Sequence, residues 1–275
     1  QTQPSADTVS YNIQRDGTNI LATTNLLVSD TTASFNVPYQ YSISAYNNAG
    51  GASTVNQSEY VVSSDAVSID GTNNGATTGV GGIIGNAWDF DGTNDSVSDV
   101  TVQFPTGRSV SVWINTPNND GTVIGGHNYG TVQAYSNGNL YGFGDLATNV
   151  IPSSSWTHIA TTVDTNLSST TYVNGSLVAS GSQGYHMGTA QEYVIGATGG
   201  GNFPNSAYNN FFDGKIDELA IYDRPLTSSE ISTLYNSGSG AIPSSISTTG
   251  LTHYYNFEQT GNTLTNMAVT EDPSS

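Results

Sequence analysis

Short runs of alternating apolar and polar residues, each closed by Asn, Asp or Gly, recur along nearly the whole of this 275-residue chain. Tyr11 to Gly17 (YNIQRDG), Tyr39 to Asn47 (YQYSISAYN), Ser109 to Thr116 (SVSVWINT), Trp156 to Asp164 (WTHIATTVD) and Thr170 to Ser180 (TTYVNGSLVAS) are such runs. A period of two puts successive side chains on opposite faces, so each run suits a strand with one face on a core, and the Gly-containing pairs supply the turns. One segment breaks the pattern. After Pro225, Thr227 and Glu230 make a capping box, Ile231, Leu234 and Tyr235 form one apolar face, and Gly238 marks a stop, which predicts one short helix. The chain is therefore expected to be all-β, and its length suits one large β-domain plus a smaller module.

Charge narrows the partners. Four basic residues, Arg15, Arg108, Lys215 and Arg224, stand against 22 acidic ones, for a formal net charge of −18. Such a surface repels a phosphate backbone, which excludes nucleic acid as a partner. The same charge favours hard cations such as Ca²⁺, and it also serves solubility alone. With no cysteine, neither disulfides nor thiol chemistry contribute. No apolar run approaches the roughly 20 residues that cross a bilayer, so no membrane insertion is expected. The opening QTQPS lacks the basic and apolar parts of a signal peptide, as a processed secreted chain would. Together with the Thr, Asn and Ser content, this leads to the expectation of an extracellular or cell-surface protein of a prokaryote. Asn56, Asn94, Asn166 and Asn174 lie in glycosylation sequons, some of which chance would supply in so Asn-, Ser- and Thr-rich a chain.

Residues 8–62, with a "Y.I.RDG" strand and a "Y.Y.V.AYN..G" strand, resemble the later strands of a fibronectin type III module, an immunoglobulin-like sandwich, whose first two strands and core Trp have no counterpart before Tyr11. Trp88 to Asp95 (WDFDGTND), the WTHIATTVD run, YVNG at 172–175 and Phe211 to Gly238 (FFDGKIDELAIYDRPLTSSEISTLYNSG) resemble, in that order, the laminin-G-like, concanavalin-A-like jelly-roll domains of large secreted and surface proteins. In that family an opening strand of the form "GL..YY.F....G..L.N.A" precedes these motifs. Here the matching text is Gly250 to Ala268 (GLTHYYNFEQTGNTLTNMA). The implied organisation is a partial fibronectin-like module over 1–62, a jelly-roll β-sandwich over 63–238, a flexible linker over 239–249 and a displaced strand over 250–275.

Leu251, Tyr255 and Phe257 are each worth roughly 1.5–3 kcal/mol when buried, so a sandwich lacking that strand would be marginal. The linker reaches about 35 Å, comparable with the width of the domain, and length alone leaves the destination open. The strand either returns to its own domain, or completes a neighbouring copy, or begins a further repeat. The favoured expectation is the second: a non-catalytic structural or adhesive protein that polymerises head to tail, with Leu251, Tyr254, Tyr255 and Phe257 forming the donated strand. The alternatives are a monomeric carbohydrate-binding adhesion module closed by its own tail and a fragment of a tandem-repeat surface protein.

Oxygen-bearing residues crowd one turn: Asp89, Asp91, Asn94 and Asp95, with Asp217 on a later strand and Asp213 a weaker candidate. The resemblance implies that such positions border a structural calcium ion, while Asp and Asn also make turns unaided. His158 alternates with Trp156 and Ala160 and reads as a buried histidine, whereas His127, His186 and His253 lack metal-ligand spacing. The aromatics expected in or near loops are Tyr129, Tyr135, Tyr141, Tyr185, Tyr208, Phe211 and Phe212, which a glycan-binding face could use, although tyrosines of a polar β-protein also pack at subunit contacts. Catalysis is not expected: the adjacent Asp217 and Glu218 should point to opposite faces of their strand, and the expectation is that no strand carries paired carboxylates at alternate positions.

Overall fold

The structure, a computed structural model, describes residues 10–23, 38–46, 52–62, 70–102, 104–118, 120–126, 129–135, 138–143, 146–182, 191–198 and 208–269. The chain divides into two compact units, Gln1–Val67 and Ser68–Ser275. In the first, the antiparallel strands β1 (Ser10–Arg15), β2 (Thr18–Thr23), β3 (Pro38–Tyr46) and β4 (Ala52–Val62) form one sheet in the order β2-β1-β3-β4. Asp16 and Gly17 join β1 to β2 with φ of 50° and 76°, the left-handed pair that matches the twist of a hairpin.

The second unit contains, in chain order, β5 (Gly71–Asn74), β6 (Thr77–Gly81), β7 (Asn86–Asp91), β8 (Ser96–Val102), β9 (Arg108–Asn115), β10 (Gly121–Gly126), β11 (Tyr129–Tyr135), β12 (Asn139–Tyr141), β13 (Leu146–Ala147), β14 (Thr157–Val163), β15 (Ser168–Val173), β16 (Ser176–Ser182), β17 (Gln191–Ile195), β18 (Asp213–Tyr222), helix α1 (Ser228–Tyr235), β19 (Leu251–Tyr255) and β20 (Thr263–Leu264). One sheet runs β13-β12-β11-β10-β17-β8-β5-β20, and the other runs β16-β15-β14-β9-β18-β7-β6 with β19 also on β18. The inward side chains of both sheets form a single core that includes Trp88, Phe90, Phe104, Phe143, Tyr193, Phe212 and Phe257. Edge-to-face pairs tie it together, among them Phe104 with Tyr193 at 5.1 Å and Trp88 with Phe257 at 5.7 Å. This is the sandwich of a concanavalin A-like jelly roll.

The helix forms where the capping box placed it. The Thr227 hydroxyl accepts from the Glu230 amide, the Glu230 carboxylate accepts from the Thr227 amide, and Asn236 ends the helix in the left-handed region. Its Ile231 and Leu234 pack with Ala160, Ala220 and Tyr222 on the outer face of the second sheet. Tyr235 extends that layer by stacking on Trp113 at 5.9 Å and lying 6.2 Å from His158. His158 is buried there, with Nε2 2.9 Å from the Ser111 hydroxyl.

The displaced strand closes its own sandwich, which corrects the expectation that it completes a neighbouring copy. β7 covers only Asp213–Ile216 of β18, and β19 takes the remaining length, pairing Leu219 with Tyr255 and Tyr222 with Leu251. β20 then pairs with β5 in the opposite sheet, so the tail stitches both layers. Tyr255 and Phe257 are fully buried, while Leu251 and Tyr254 are half-buried on the outer face. Residues 239–249 are not a free linker either. The Ala241 amide donates to Leu234 O, and the Arg224 guanidinium donates to the Ser247 and Thr249 carbonyls. The return path is held against α1, which brings β19 back to the open half of β18.

Candidate functional site

The residues expected around calcium do not form a cation cage. Asp91 Oδ1 accepts the Thr93 and Asn94 amides, and Asp95 Oδ2 accepts the Asp91 amide, so both carboxylates build the turn itself. Burial, then the neighbouring Asp91 and Asp89, raises the Asp95 carboxyl above its ordinary range. Asp89 lies within β7 opposite Lys215 and alternates with Asp91 on that strand, which corrects the expectation that no strand carries carboxylates at alternate positions, and the Asp213 carboxylate takes the Asn118 side-chain amide. Asp217 sits four residues along β18 from Asp213, roughly 13 Å away in a strand. Among the described residues no group of three or more Asp, Glu, His or Cys side chains is placed to hold a metal ion.

Asp217 belongs to a different constellation, and it reverses one sequence-based exclusion. Glu218 has φ of 51° and occupies a bulge in β18, so it and Asp217 share a side of the sheet instead of opposing each other. Asp217 accepts the amides of Ile83 (2.9 Å), Ile84 (3.2 Å) and Glu218 (2.8 Å). Glu218 accepts the Tyr254 hydroxyl at 2.7 Å, and Glu258 accepts both the backbone and side-chain amides of Asn86. Gly85 in the 82–85 turn has φ of 59°, the left-handed region that favours glycine, and lies against the Glu258 carboxylate. Burial, then Glu218, pushes Asp217 up to about 8 against three amide donors; burial, followed by the opposing Tyr254 bond and then Glu258, leaves Glu218 at about 7. Every one of these carboxylates is engaged in joining the 82–85 turn, β18 and the returning tail. They form a structural lock that no local pattern of residues signals, because the bulge depends on two different strands sharing β18.

The opposite sheet presents a different surface on its side away from the core. Val132, Leu140 and Ala147 point into the core, so the alternating Gln133, Tyr141 and Leu146 point outward. They are direct cross-strand partners: Thr122 faces Gln133, Gln133 faces Tyr141, and Tyr141 faces Leu146. The row crosses β10, β11, β12 and β13, about 14 Å at the usual strand spacing. One end is apolar and open, with Leu146 56% exposed and the Tyr141 ring half-buried beside it. The other end is a polar knot, in which the Thr122 hydroxyl meets the side chains of Thr198 (2.6 Å), Asn210 (2.8 Å) and Gln133 (3.0 Å). Tyr208 sits farther along the same sheet, bonded to Ser98 near Asp99 and Glu192.

The other loop aromatics divide. Phe212 is buried in the core at 6.5 Å from Phe90, and Phe211 is half-buried. Tyr129 and Tyr135 lie on β11, with side chains outside the description, and Tyr185 lies outside the described residues. Of the sequons, Asn94 and Asn166 are exposed in turns, the Asn174 side chain accepts the His158 amide, and Asn56 lies on β4 with its side chain outside the description. Of the row, only Tyr141 stood out in the sequence; Gln133 and Leu146 acquire meaning solely from register.

The profile of the concanavalin A-like lectin/glucanases superfamily matches residues 91–232, just over half of the chain, and the chain belongs to that superfamily. No curated protein matches it by sequence. Among solved structures it is similar to domain 4 of AbnA, an extracellular GH43 arabinanase from Geobacillus stearothermophilus, in complex with arabinotriose, at 22% identity and a TM-score of 0.45 over 59% of this chain and 85% of that one. It is also similar to the binding domain of Paraclostridial Mosquitocidal Protein 1 (16% identity, TM-score 0.47, covering 68% of this chain and 51% of that one). A third is the heptameric SAP-like pentraxin of Limulus polyphemus (16% identity, TM-score 0.45, 66% and 96%). The chain thus spans about half the length of the mosquitocidal binding domain. No helix among the described residues is long and apolar enough to cross a membrane.

Proposed function

We propose that the second unit is a non-catalytic carbohydrate-binding module of a secreted or surface-exposed protein, closed by its own C-terminal strand. The observation that carries this reading is the outward row Thr122–Gln133–Tyr141–Leu146. An aromatic ring beside an aliphatic side chain suits the C–H face of a sugar ring, and the side-chain amides of half-buried Gln133 and exposed Asn210, held by the buried Thr122 hydroxyl, suit its hydroxyls. Membership of a lectin and glucanase superfamily supports it. The converging carboxylates Asp217 and Glu218 are buried and already bonded to the chain, which argues against their serving as the acid and nucleophile that flank a glycosidic bond.

The test is affinity electrophoresis of the full chain through gels containing soluble polysaccharides, followed by Tyr141→Ala. Retardation by at least one polysaccharide, lost in Tyr141→Ala with the melting temperature kept, is the expected result. Retardation that Tyr141→Ala leaves unchanged would move the site elsewhere.

A further inference from the structure

We infer that the Tyr141 face takes neutral glycans and rejects anionic ones such as uronates and sulfated chains; this rests on the carbohydrate-binding reading. Three of the four Lys and Arg residues lie in the second unit. Arg15 belongs to the first unit. Arg108 is fully buried, its Nη1 donating to the Pro105 and Thr106 carbonyls and its guanidinium 4.9 Å from the Phe143 ring centre. Arg224 is bound to both oxygens of Glu230 and to the 247–249 return path. Lys215 lies in the opposite sheet, between Asp89 of β7 and Asn115 of β9.

No strand of the sheet that carries Tyr141 contains a Lys or Arg, whereas β8 and β17 bring Asp99 and Glu192 to it. Recognition of a carboxylate or sulfate calls for a guanidinium, an ammonium or a bound cation to offset desolvation. Among the described residues of this unit none is placed on this sheet, and the formal charge of −18 adds repulsion that reaches about 8 Å at physiological salt. A neutral sugar, read by ring stacking and by side-chain amides, meets neither penalty.

The experiment is a panel of neutral polysaccharides (arabinan, xylan, mannan, mixed-linkage glucan) and anionic ones (polygalacturonate, alginate, heparin) at 20 mM and 500 mM NaCl, using the full chain. The expected result is binding confined to the neutral set, changed less than twofold by salt, weakened about tenfold in Tyr141→Ala, about 1.4 kcal/mol, and retained in Tyr141→Phe, which keeps the ring. Tyr141-dependent binding of an anionic polysaccharide at either salt would overturn the inference while leaving the module reading intact. Binding to no member of the panel would overturn both, and neutral binding that survives Tyr141→Ala would overturn the assignment of the face. Melting curves of both variants separate lost binding from lost folding.

Discussion

The Tyr254 hydroxyl donates a 2.7 Å hydrogen bond to Glu218, and that contact joins the bulge of β18 to the strand that completes the sandwich. Around it converge Asp217 on the same strand and Glu258 just beyond β19, so the closing strand is docked onto two buried acids and a half-buried one.

Stability should fall as pH rises through this group. Glu218 is raised from 4.5 to about 7, so its contribution is complete below the unfolded value and is lost as pH climbs through about 7; the raised Asp217 acts in the same direction up to about 8. Glu218→Gln keeps an acceptor for Tyr254 and removes the charge. The expected outcome is a melting temperature that falls at least 3 °C less between pH 6 and 9 than in the parent, measured by circular dichroism.

An acid limb should come from two histidines. Burial lowers His158 to about 3 and His253 to about 4, the latter against its Nε2–H bond to Thr101 O. Their neutral forms stabilise the fold fully above the unfolded value near 6.5, and this is lost as pH falls toward 4. Urea titrations should show roughly 1–2 kcal/mol lost per histidine between pH 7 and 5, with a shallower loss in His253→Gln.

Cutting the closing strand should cost as much as cutting the core. Phe257 is fully buried against Trp88, and truncation of such a ring costs about 3–5 kcal/mol. Phe257→Ala is expected to lose that amount in chemical denaturation, and deletion of 250–275 to abolish the cooperative melt. Native mass spectrometry of the full chain should show a monomer; a ladder of head-to-tail oligomers dispersed by the deletion would contradict closure within one chain.

Calcium should leave the protein unchanged. With Asp91 and Asp95 committed to backbone amides, adding 5 mM CaCl₂ or EDTA is expected to move the melting temperature by less than about 2 °C, under 1 kcal/mol.

What the sequence alone determined is what short-range chemistry determines. Alternation places strands such as Ser109–Thr116, the pair Asp16–Gly17 makes a hairpin, and Thr227 with Glu230 starts the helix, because each needs only residues a few positions apart. The motif order from Trp88 to Gly238 carried the jelly roll, and the tail text at 250–268 announced a strand of that same sandwich. Which copy that strand enters depended on β7 stopping halfway along β18 and on the return path being tied to α1. Asp217 and Glu218 share a face only because a left-handed residue interrupts β18, and Tyr141 meets Gln133 and Leu146 only through strands of two to seven residues whose register has no local signature. Local propensity sees a window of the chain, whereas pairing partner, register and facing are properties of contacts between distant segments, and those are decided only when the two sheets close on one core.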